Sequence, residues 1–231
     1  MQISLVIPCY NEEKNIPILS KKLNKLISNK SYEIIMIDNG SIDNTYNELK
    51  KYLNNFDNVK ILKLDENKGY GNGILEGLKI AKGNILAWTH ADIQTDPQDI
   101  ITGIKFFNKD REKIYVKGLR YGRPILDRFF TFGMSTFVSL ILGKFLWDVN
   151  AQPTIMTSSF FKSWENPPRD FSLDLFSYYK AIEKGCKIYR FPVLFSKRLF
   201  GSSKWNFSFK SKMRFIKRTI KYTLSLKEKL K

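Results

Sequence analysis

The sequence predicts an α/β fold in which a mostly parallel sheet is flanked by helices. Short apolar runs alternate in regular order with amphipathic stretches through the first half of the 231-residue chain. Strands that alternate with helices favour parallel pairing, because each return to the sheet passes through a crossover helix. A chain of this length buries roughly 70% of its unfolded surface, so it needs no disulfide or metal to fold. Its two cysteines, Cys9 and Cys186, fit a reducing compartment.

Four strands are predicted in this half, and each is followed by a helix. The strands cover residues 3–7, 32–37, 59–64 and 84–89. The first helix ends near residue 28, the second covers residues 44–53, and the third ends near residue 81. The fourth follows Pro97, a residue that suits the first turn of a helix.

Polar residues follow the end of every predicted strand. They are Pro8, Tyr10, Asn11, Glu12 and Glu13 after the first strand, and residues 38–43, 67–73 and 90–97 after the others. Ligands of parallel sheets bind beyond these carboxyl ends. A single acid at such a position is usually a helix cap. Four strand ends that bring carboxylates and glycines to one edge predict a site for a nucleotide and its metal.

Three of these segments suggest specific contacts. Asp92 and the amide oxygen of Gln94 are hard oxygen donors of the kind that hold Mg²⁺ or Mn²⁺ against a diphosphate. Asp38 stands at a strand end, where it can accept hydrogen bonds from a base or a ribose. The turn with Gly69 and Gly71 lets the backbone approach a ligand, or it tightens the junction between strand and helix.

The charge of the chain predicts a polyanionic partner. It has 39 Lys and Arg against 22 Asp and Glu, a net charge of +17, and residues 197–231 hold twelve of these bases with one acid. Such an excess suits nucleic acid, an anionic membrane or phosphorylated substrates. No nucleic-acid-binding motif accompanies the charge, so nucleic acid is not expected as a partner.

The basic C-terminal stretch carries an apolar stripe. Its members follow helical spacing, with Lys and Arg between them, and are Met213, Ile216, Ile220 and Leu224. This pattern is typical of a helix that lies on a membrane surface. The alternative is a helix that packs on the domain by its stripe.

A second apolar run covers residues 129–147. Its uncharged part has 15 residues and ends before Lys144, which is short of the ~20 residues that span a bilayer. It predicts either a buried core helix or a helix at the membrane surface. Together with the basic tail, it favours the surface.

The N-terminus predicts no secretory signal, because its apolar run is short and lacks a basic region before it. We therefore expect a cytoplasmic protein that is peripheral on the cytosolic face of a membrane. No pair of long apolar segments follows the domain, so a membrane-spanning partner is expected to be a separate chain.

Seven motifs, in order along the chain, carry a family resemblance. They are VIPCYNEEKNI (6–16), IIMIDNGSIDNT (34–45), the segment 67–97, VKGLRYGR (116–123), DVNAQPTIMTSSFF (148–161), DFSLDL (170–175) and PVLFSKRLFGSSKW (192–205). The chain resembles the family 2 glycosyltransferases with the GT-A fold, within them most of all the dolichyl- or polyprenyl-phosphate mannosyltransferases. The resemblance implies a GT-A domain over residues 1–206, divided near residue 118 into a nucleotide-sugar half and an acceptor half (119–206). Residues 207–231 remain as a basic membrane-surface tail.

The resemblance also implies donor and metal sites. The implied donor residues are Pro8, Tyr10, Glu12, Asp38, Lys68, Gly69, Gly71, Ala91 and Asp92. The implied motif for Mg²⁺ or Mn²⁺ covers His90, Asp92 and Gln94, but the family usually has Asp where this chain has His90. A neutral imidazole suits Mn²⁺ better than Mg²⁺. Either His90 ligates the metal, or, as we favour, it only packs while Asp92 and Gln94 carry the metal.

The implied reaction transfers a sugar, with inversion, from GDP-mannose or a UDP-hexose to a polyprenyl or dolichyl phosphate. A lipid phosphate is ionised at neutral pH, so cations that hold it in line and a metal on the diphosphate are sufficient. The implied cations are Arg120, Arg128, Arg198 and Lys204, and Asp92 and Arg120 are expected to act in catalysis. A saccharide hydroxyl as acceptor would instead require a base, for which Asp174 is expected ahead of Asp170.

Two rival interpretations differ in class from this enzyme. Gly69 and Gly71 begin a dehydrogenase-like G-x-G pattern, but Ile74 replaces its third glycine and the turn follows the third strand rather than the first. A non-catalytic basic protein that binds a membrane or nucleic acid, on a degenerate GT-A fold, would explain the loss of an acid at His90. The retained Asp92 speaks against it.

Overall fold

The computed structural model describes residues 2–108, 113–201 and 209–228. Its strands are β1 (Ile3–Cys9), β2 (Tyr32–Asn39), β3 (Val59–Leu64), β4 (Ile85–Trp88), β5 (Ile114–Tyr121), β6 (Thr154–Thr157) and β7 (Lys187–Leu194). Its helices are α1 (Ile16–Ile27), α2 (Thr45–Leu53), α3 (Tyr70–Ile80), α4 (Asp99–Ile104), α5 (Ile125–Leu142), α6 (Ser158–Lys162), α7 (Leu173–Glu183) and α8 (Phe209–Glu228).

The strands form one sheet in the order β3-β2-β1-β4-β6-β5-β7. β6 is antiparallel to its neighbours β4 and β5, and the other pairs are parallel. The predicted α/β fold with a mostly parallel sheet is confirmed. Each of the four predicted strands lies within two residues of its expected ends.

The core lies on both faces of this sheet. Leu5 and Ile7 of β1 pack in the cluster that includes α1, α2 and α4, whereas Val6 between them packs in the cluster that includes α3 and α7. This alternation is the period of two that a strand imposes on its side chains. Because helices cover both faces, the carboxyl ends of the parallel strands are left as the edge where a ligand can enter.

Helix α5 differs from the buried core helix that was one of the two expectations for residues 129–147. It covers Ile125–Leu142, includes Asp127 and Arg128, and only 17% of it is buried. Among the described residues it is the one helix long and apolar enough to cross a membrane. The core-helix interpretation is therefore wrong. Its buried side chains are confined to one side of the helix and are Ser135, Val138 and Leu142.

Helix α8 packs against α5. Among its described side chains the most buried are Thr223 and Leu226, at 0% and 6% exposure. The predicted apolar stripe is partly covered, because Met213, Ile216 and Ile220 are half-buried, whereas Leu224 is 44% exposed. The side of α8 that is buried in the structure is therefore rotated about the helix axis relative to the predicted apolar stripe. The expected domain boundary after residue 206 lies outside the described residues.

Candidate active site

A cavity of about 160 Å³ opens beyond the carboxyl ends of β4 and β5. The segment after β4 forms one wall with His90 and Asp92, and Arg120 of β5 lines the cavity as well. Helix α5 adds an apolar wall, whose side chains are Phe130, Met134 and Val138. The cavity therefore joins a carboxylate, guanidinium groups and an apolar surface within one space.

The structure brings six of the predicted site residues to this cavity, namely His90, Asp92, Gln94, Arg120, Asp174 and Arg198. Arg128, expected beside them, is exposed on α5, and Arg123 lines the cavity in its place. Lys68 is also exposed, and its ammonium group pairs with Glu66 at 3.0 Å in a separate groove. Lys204 lies outside the described residues.

The donor residues cluster at the carboxyl ends of β1, β2 and β4. Pro8 lies in β1, Tyr10 directly follows it, and Ala91 is buried beyond β4. Asp38 is fully buried, and its Oδ1 accepts a hydrogen bond from the backbone N–H of Ser41 at 3.0 Å. Its Oδ2 has no partner among the described residues. A buried carboxylate oxygen without a partner is costly, so a ligand group is expected there.

The glycine-rich segment combines a turn with the first turn of a helix. Helix α3 begins at Tyr70, so Gly71 lies in its first turn, and only Gly69 has a positive φ, +120°. A Cβ on Gly69 would lie 2.5 Å from the carbonyl oxygen of Arg169, and one on Gly71 would lie 2.6 Å from that of Asp170. These glycines thus allow the segment before α7 to approach the start of α3.

Asp92, the carboxylate of the metal motif, is paired within the protein. Its Oδ2 accepts a hydrogen bond from Nη2 of Arg198 at 2.5 Å, and its Oδ1 accepts one from the backbone N–H of Gln94 at 3.1 Å. The side-chain amide of Gln94 donates to the carbonyl oxygen of Ser196 at 3.2 Å. Asp92 is therefore in place for a metal, but one of its oxygens is shared with a guanidinium group.

His90 lies half-buried against an aromatic stack. Its ring centroid is 5.4 Å from that of Tyr70, which in turn stacks on Phe171 at 4.7 Å. Burial lowers the pKa of His90, so the imidazole is neutral at pH 7. No group of three His, Cys, Asp or Glu side chains converges anywhere in the described chain.

A divalent ion nevertheless fits the donor set. Mg²⁺ is often held by one or two carboxylates together with substrate phosphates. Asp92, Gln94 and the neutral imidazole of His90 lie together on the segment after β4, and these oxygen and nitrogen donors suit Mn²⁺. A metal could bind both carboxylate oxygens of Asp92 only if Arg198 moved away from Oδ2.

Asp148 organises the cationic side of the cavity. Its carboxylate accepts hydrogen bonds from Nε and from the backbone N–H of Arg120, each at 3.0 Å. Arg123 and Arg190 lie 3.8 Å and 3.9 Å from it. Burial alone would raise the pKa of Asp148, but the charge and hydrogen bonds of Arg120 outweigh it and lower the pKa. Three guanidinium groups around one carboxylate leave a net positive charge.

Two of these arginines share an aromatic platform. The guanidinium carbons of Arg120 and Arg123 lie 5.2 Å and 5.5 Å from the ring centroid of Phe195. Arg123 also donates to Oγ1 of Thr131 at 2.7 Å, while its buried Nε has no partner among the described residues. This side of the cavity is thus prepared for an anion.

Asp174 belongs to a buried polar network at the start of α7. Its Oδ1 accepts a hydrogen bond from the side-chain amide of Gln152 at 2.8 Å and lies 3.4 Å from Nζ of Lys117. Lys117 also donates to Oγ1 of Thr154 at 2.7 Å. Burial lowers the pKa of Lys117 to about 8. Asp174 therefore lines the cavity while its Oδ1 contacts the ammonium group of Lys117 and the side-chain amide of Gln152.

Sequence reasoning missed Lys117, Arg123, Asp148 and Gln152. Lys117 left a signal, because a lysine in the middle of the apolar run IYVKGLRY is buried only with a partner. Asp148 and Gln152 lie in the quoted motif DVNAQPTIMTSSFF, but the motif did not reveal their roles, because these arise from contacts with residues distant in sequence.

Glu12, at the donor end, has a perturbed carboxyl group. It accepts a hydrogen bond from the side chain of Asn15 and lies 3.8 Å from Nη1 of Arg198. Burial raises the pKa of Glu12 from 4.5 to about 7. The folded protein therefore holds this proton more tightly than the unfolded chain does.

We predict that Glu12 makes stability fall as the pH rises. Because its folded pKa is the higher one, the stabilisation is present below the unfolded pKa near 4.5 and is lost as the pH passes through about 7. From about pH 5 to about pH 8, wild type should lose roughly 2 kcal/mol of unfolding free energy relative to Glu12→Gln. Denaturant unfolding across this range measures it, with Glu13→Gln as the control for net charge. A pH-independent difference between wild type and Glu12→Gln would contradict it.

Comparisons with known proteins identify relatives that match part of this chain. The dolichol-phosphate mannosyltransferase of Pyrococcus furiosus is 29% identical over 100 residues, which cover 43% of this chain and 28% of that protein. The undecaprenyl-phosphate 4-deoxy-4-formamido-L-arabinose transferase of Proteus mirabilis is 35% identical over 102 residues, which cover 43% of this chain and 31% of that protein. The chain thus matches less than a third of the length of these two relatives.

Solved structures share the fold. Glucosyl-3-phosphoglycerate synthase of Mycobacterium tuberculosis, in complex with Mn²⁺, UDP-glucose and glycerol 3-phosphate, superposes with a TM-score of 0.75 at 16% identity. That match covers 98% of this chain and 79% of the other. A mannosyltransferase of Pyrobaculum calidifontis with GDP-Man and Mn²⁺ superposes with a TM-score of 0.63 at 16% identity, over 87% of this chain and 58% of the other.

These superpositions confirm the GT-A fold that the motifs implied. The sequence model of glycosyl transferase family 2 matches residues 4–163, which include β1, β4 and the metal motif. The chain therefore belongs to glycosyl transferase family 2.

Proposed function

We propose that this glycosyltransferase moves a sugar, with inversion, from a nucleotide-sugar to a polyprenyl phosphate at a membrane surface. The observation that carries the proposal is the cavity that places Arg120, Arg123 and Arg198 beside Asp92 and against the apolar wall of α5. A phosphate with an apolar chain is the acceptor chemistry that matches cations next to an apolar surface. The names of the curated relatives describe transferases acting on polyprenyl phosphates.

The donor half supports a nucleotide-sugar such as GDP-mannose or a UDP-hexose. Oδ2 of Asp38, at the end of β2, is buried and has no partner among the described residues, so it can accept a hydrogen bond from a base or ribose. Asp92 and Gln94, with His90 as a neutral neighbour, would hold a divalent ion at the adjoining strand end. When bound, that ion would supply positive charge against the leaving diphosphate.

The acceptor half supports attack by a group that is already anionic. A phosphate oxygen forms the bond to the anomeric carbon from the face opposite the diphosphate, and the bond to the diphosphate breaks as the nucleoside diphosphate leaves. No proton has to be removed from an ionised phosphate. Arg120 and Arg123, fixed by Asp148, would orient it for attack along this line.

A second candidate is transfer to a saccharide hydroxyl. It is supported by Asp174, which lines the same cavity and could serve as the base that a hydroxyl needs. Gln152 and Lys117 both engage Oδ1 of this carboxylate. We favour the phosphate acceptor because the arginines outnumber the carboxylates on the acceptor side.

We also propose that α5 and α8 dock on an anionic membrane at the cytosolic face. On α5, Leu126, Phe129 and Leu140 are 78%, 70% and 77% exposed. On the adjacent α8, Arg214, Lys217 and Lys221 are exposed. Apolar side chains beside basic ones are typical of helices that lie in the membrane interface.

We expect the full chain to form a glycolipid from polyprenyl phosphate and one member of a panel of GDP- and UDP-sugars, with Mn²⁺ or Mg²⁺ present. The product should keep the lipid phosphate and carry the sugar with inverted anomeric configuration. Mass spectrometry and NMR identify it, and Asp92→Asn is the inactive control. Product formed only with saccharide acceptors would favour the second candidate, and no product with either would contradict both.

We predict that Arg123 binds the acceptor and that Arg128 does not. Arg123→Met removes a buried cation of the cavity, so the KM for polyprenyl phosphate should rise at least about tenfold, because hydrogen bonds to charged groups are worth about 1.5–3 kcal/mol. Nucleotide affinity should be unchanged. Arg128→Met removes the same charge from the exposed side of α5 and is the matched control. Equal effects of the two variants on KM would contradict the assignment.

We predict that the basic face of α8 drives vesicle binding. Neutralising Arg214, Lys217 and Lys221 to Gln should weaken binding to anionic vesicles about 100-fold, since each base near an anionic leaflet is worth ~1 kcal/mol. The matched control neutralises three exposed lysines on and after α1, namely Lys21, Lys25 and Lys30. Co-sedimentation measures the vesicle binding of both variants. Equal losses of binding would contradict the prediction, because they would show that binding depends only on net charge.

A further inference from the structure

Arg198 joins the two ends of the cavity. It follows β7, on the acceptor side, yet its Nη2 is 2.5 Å from Oδ2 of Asp92 and its Nη1 is 3.8 Å from Glu12. Its Nε is buried and has no partner among the described residues. A cation of the acceptor half therefore forms an ion pair with Asp92 of the donor half and lies close to Glu12.

The segment that carries Arg198 is attached to the metal motif. The backbone N–H of Ser196 donates to the carbonyl oxygen of Gln94 at 2.7 Å, and the side chain of Gln94 donates back to Ser196 at 3.2 Å. These contacts and the ion pair with Asp92 hold the segment of Arg198 to the expected metal motif at two neighbouring points.

Asp92 is the one acid of the expected metal motif, so a divalent ion and Arg198 would compete for it. His90 stands where a second acid would allow one carboxylate to hold Arg198 while the other holds a metal. With Asp92 alone, a divalent ion meets a guanidinium group already on Oδ2. Like charges at such distances repel strongly where water is largely excluded.

We propose that Arg198 is an internal counter-ion of Asp92, which a divalent metal and its nucleotide displace, and which then binds the acceptor phosphate. Before the donor binds, Arg198 occupies Asp92. After the donor has bound, Arg198 joins Arg120 and Arg123 as the third cation available to the acceptor. Donor binding therefore precedes and strengthens acceptor binding. The second half of this inference rests on the proposed function.

Thermodynamic reciprocity makes the exchange measurable without turnover. If metal and nucleotide release Arg198 for a phosphate, then phosphate must strengthen the binding of metal and nucleotide by the same factor. Removing the guanidinium group should abolish this coupling and also free Asp92. Loss of a residue that only stabilises the fold would not tighten the binding of metal and nucleotide while it weakens the binding of phosphate.

The test is calorimetric binding of Mn²⁺ with UDP, and in parallel with GDP, to the full chain. Arg198→Met should bind Mn²⁺ with nucleotide about fivefold to tenfold more tightly than wild type, within the usual range of coupling between sites. Inorganic phosphate should tighten that binding in wild type and have no effect in Arg198→Met. The matched control, Lys197→Met, removes the neighbouring exposed charge and should behave as wild type.

Unchanged or weaker Mn²⁺ binding in Arg198→Met would overturn the inference, as would coupling to phosphate that persists in this variant. Arg198→Lys provides a second test, because it keeps the charge and should remain close to wild type in Mn²⁺ affinity. Failure of the proposed function has a separate signature. In that case no glycolipid forms, although Arg198→Met still tightens Mn²⁺ binding.

Discussion

The acceptor side of the cavity depends on one buried carboxylate, that of Asp148. It holds Arg120 by hydrogen bonds and lies within 4 Å of Arg123 and Arg190. Its own backbone N–H donates to Oγ of Ser135 on α5 at 3.1 Å. Without it, three guanidinium groups would face one another uncompensated, and loss of one partner from a buried pair costs about 3–5 kcal/mol. Asp148 therefore ties β5, β7 and α5 into a single cationic wall.

The cavity therefore has an acidic side and a cationic side. Within it, Asp92 stands beyond the end of β4, where a metal is expected, and Arg120 and Arg198 stand at the end of β5 and beyond that of β7. The antiparallel β6 separates the two groups of strands within the sheet. Arg198 crosses from the cationic side to Asp92. One ion pair thus connects the two functions that the sheet keeps apart.

The sequence was most informative where structure is local. The alternation of strands and helices predicted β1 to β4, and the residues directly after the strand ends indicated the expected metal motif. Both features depend on residues that are neighbours in the sequence and remain neighbours in the fold. The pairing of β6 with β4 and β5 depends on contacts distant in sequence, so no local pattern revealed it. Arg128 and Arg123 show the same limit. Arg123 precedes α5 and Arg128 lies on it, and only the folded chain shows that the first lines the cavity and the second is exposed.

In the proposed function, Asp148 prepares Arg120 and Arg123 for a phosphate next to the apolar wall of α5. A crystal structure of the chain with Mn²⁺, UDP or GDP, and a short-chain prenyl phosphate tests it most directly. We expect phosphate oxygens within hydrogen-bond distance of Arg120 and Arg123, with the prenyl chain along α5. A prenyl phosphate bound elsewhere, with both arginines engaged only by Asp148, would contradict it.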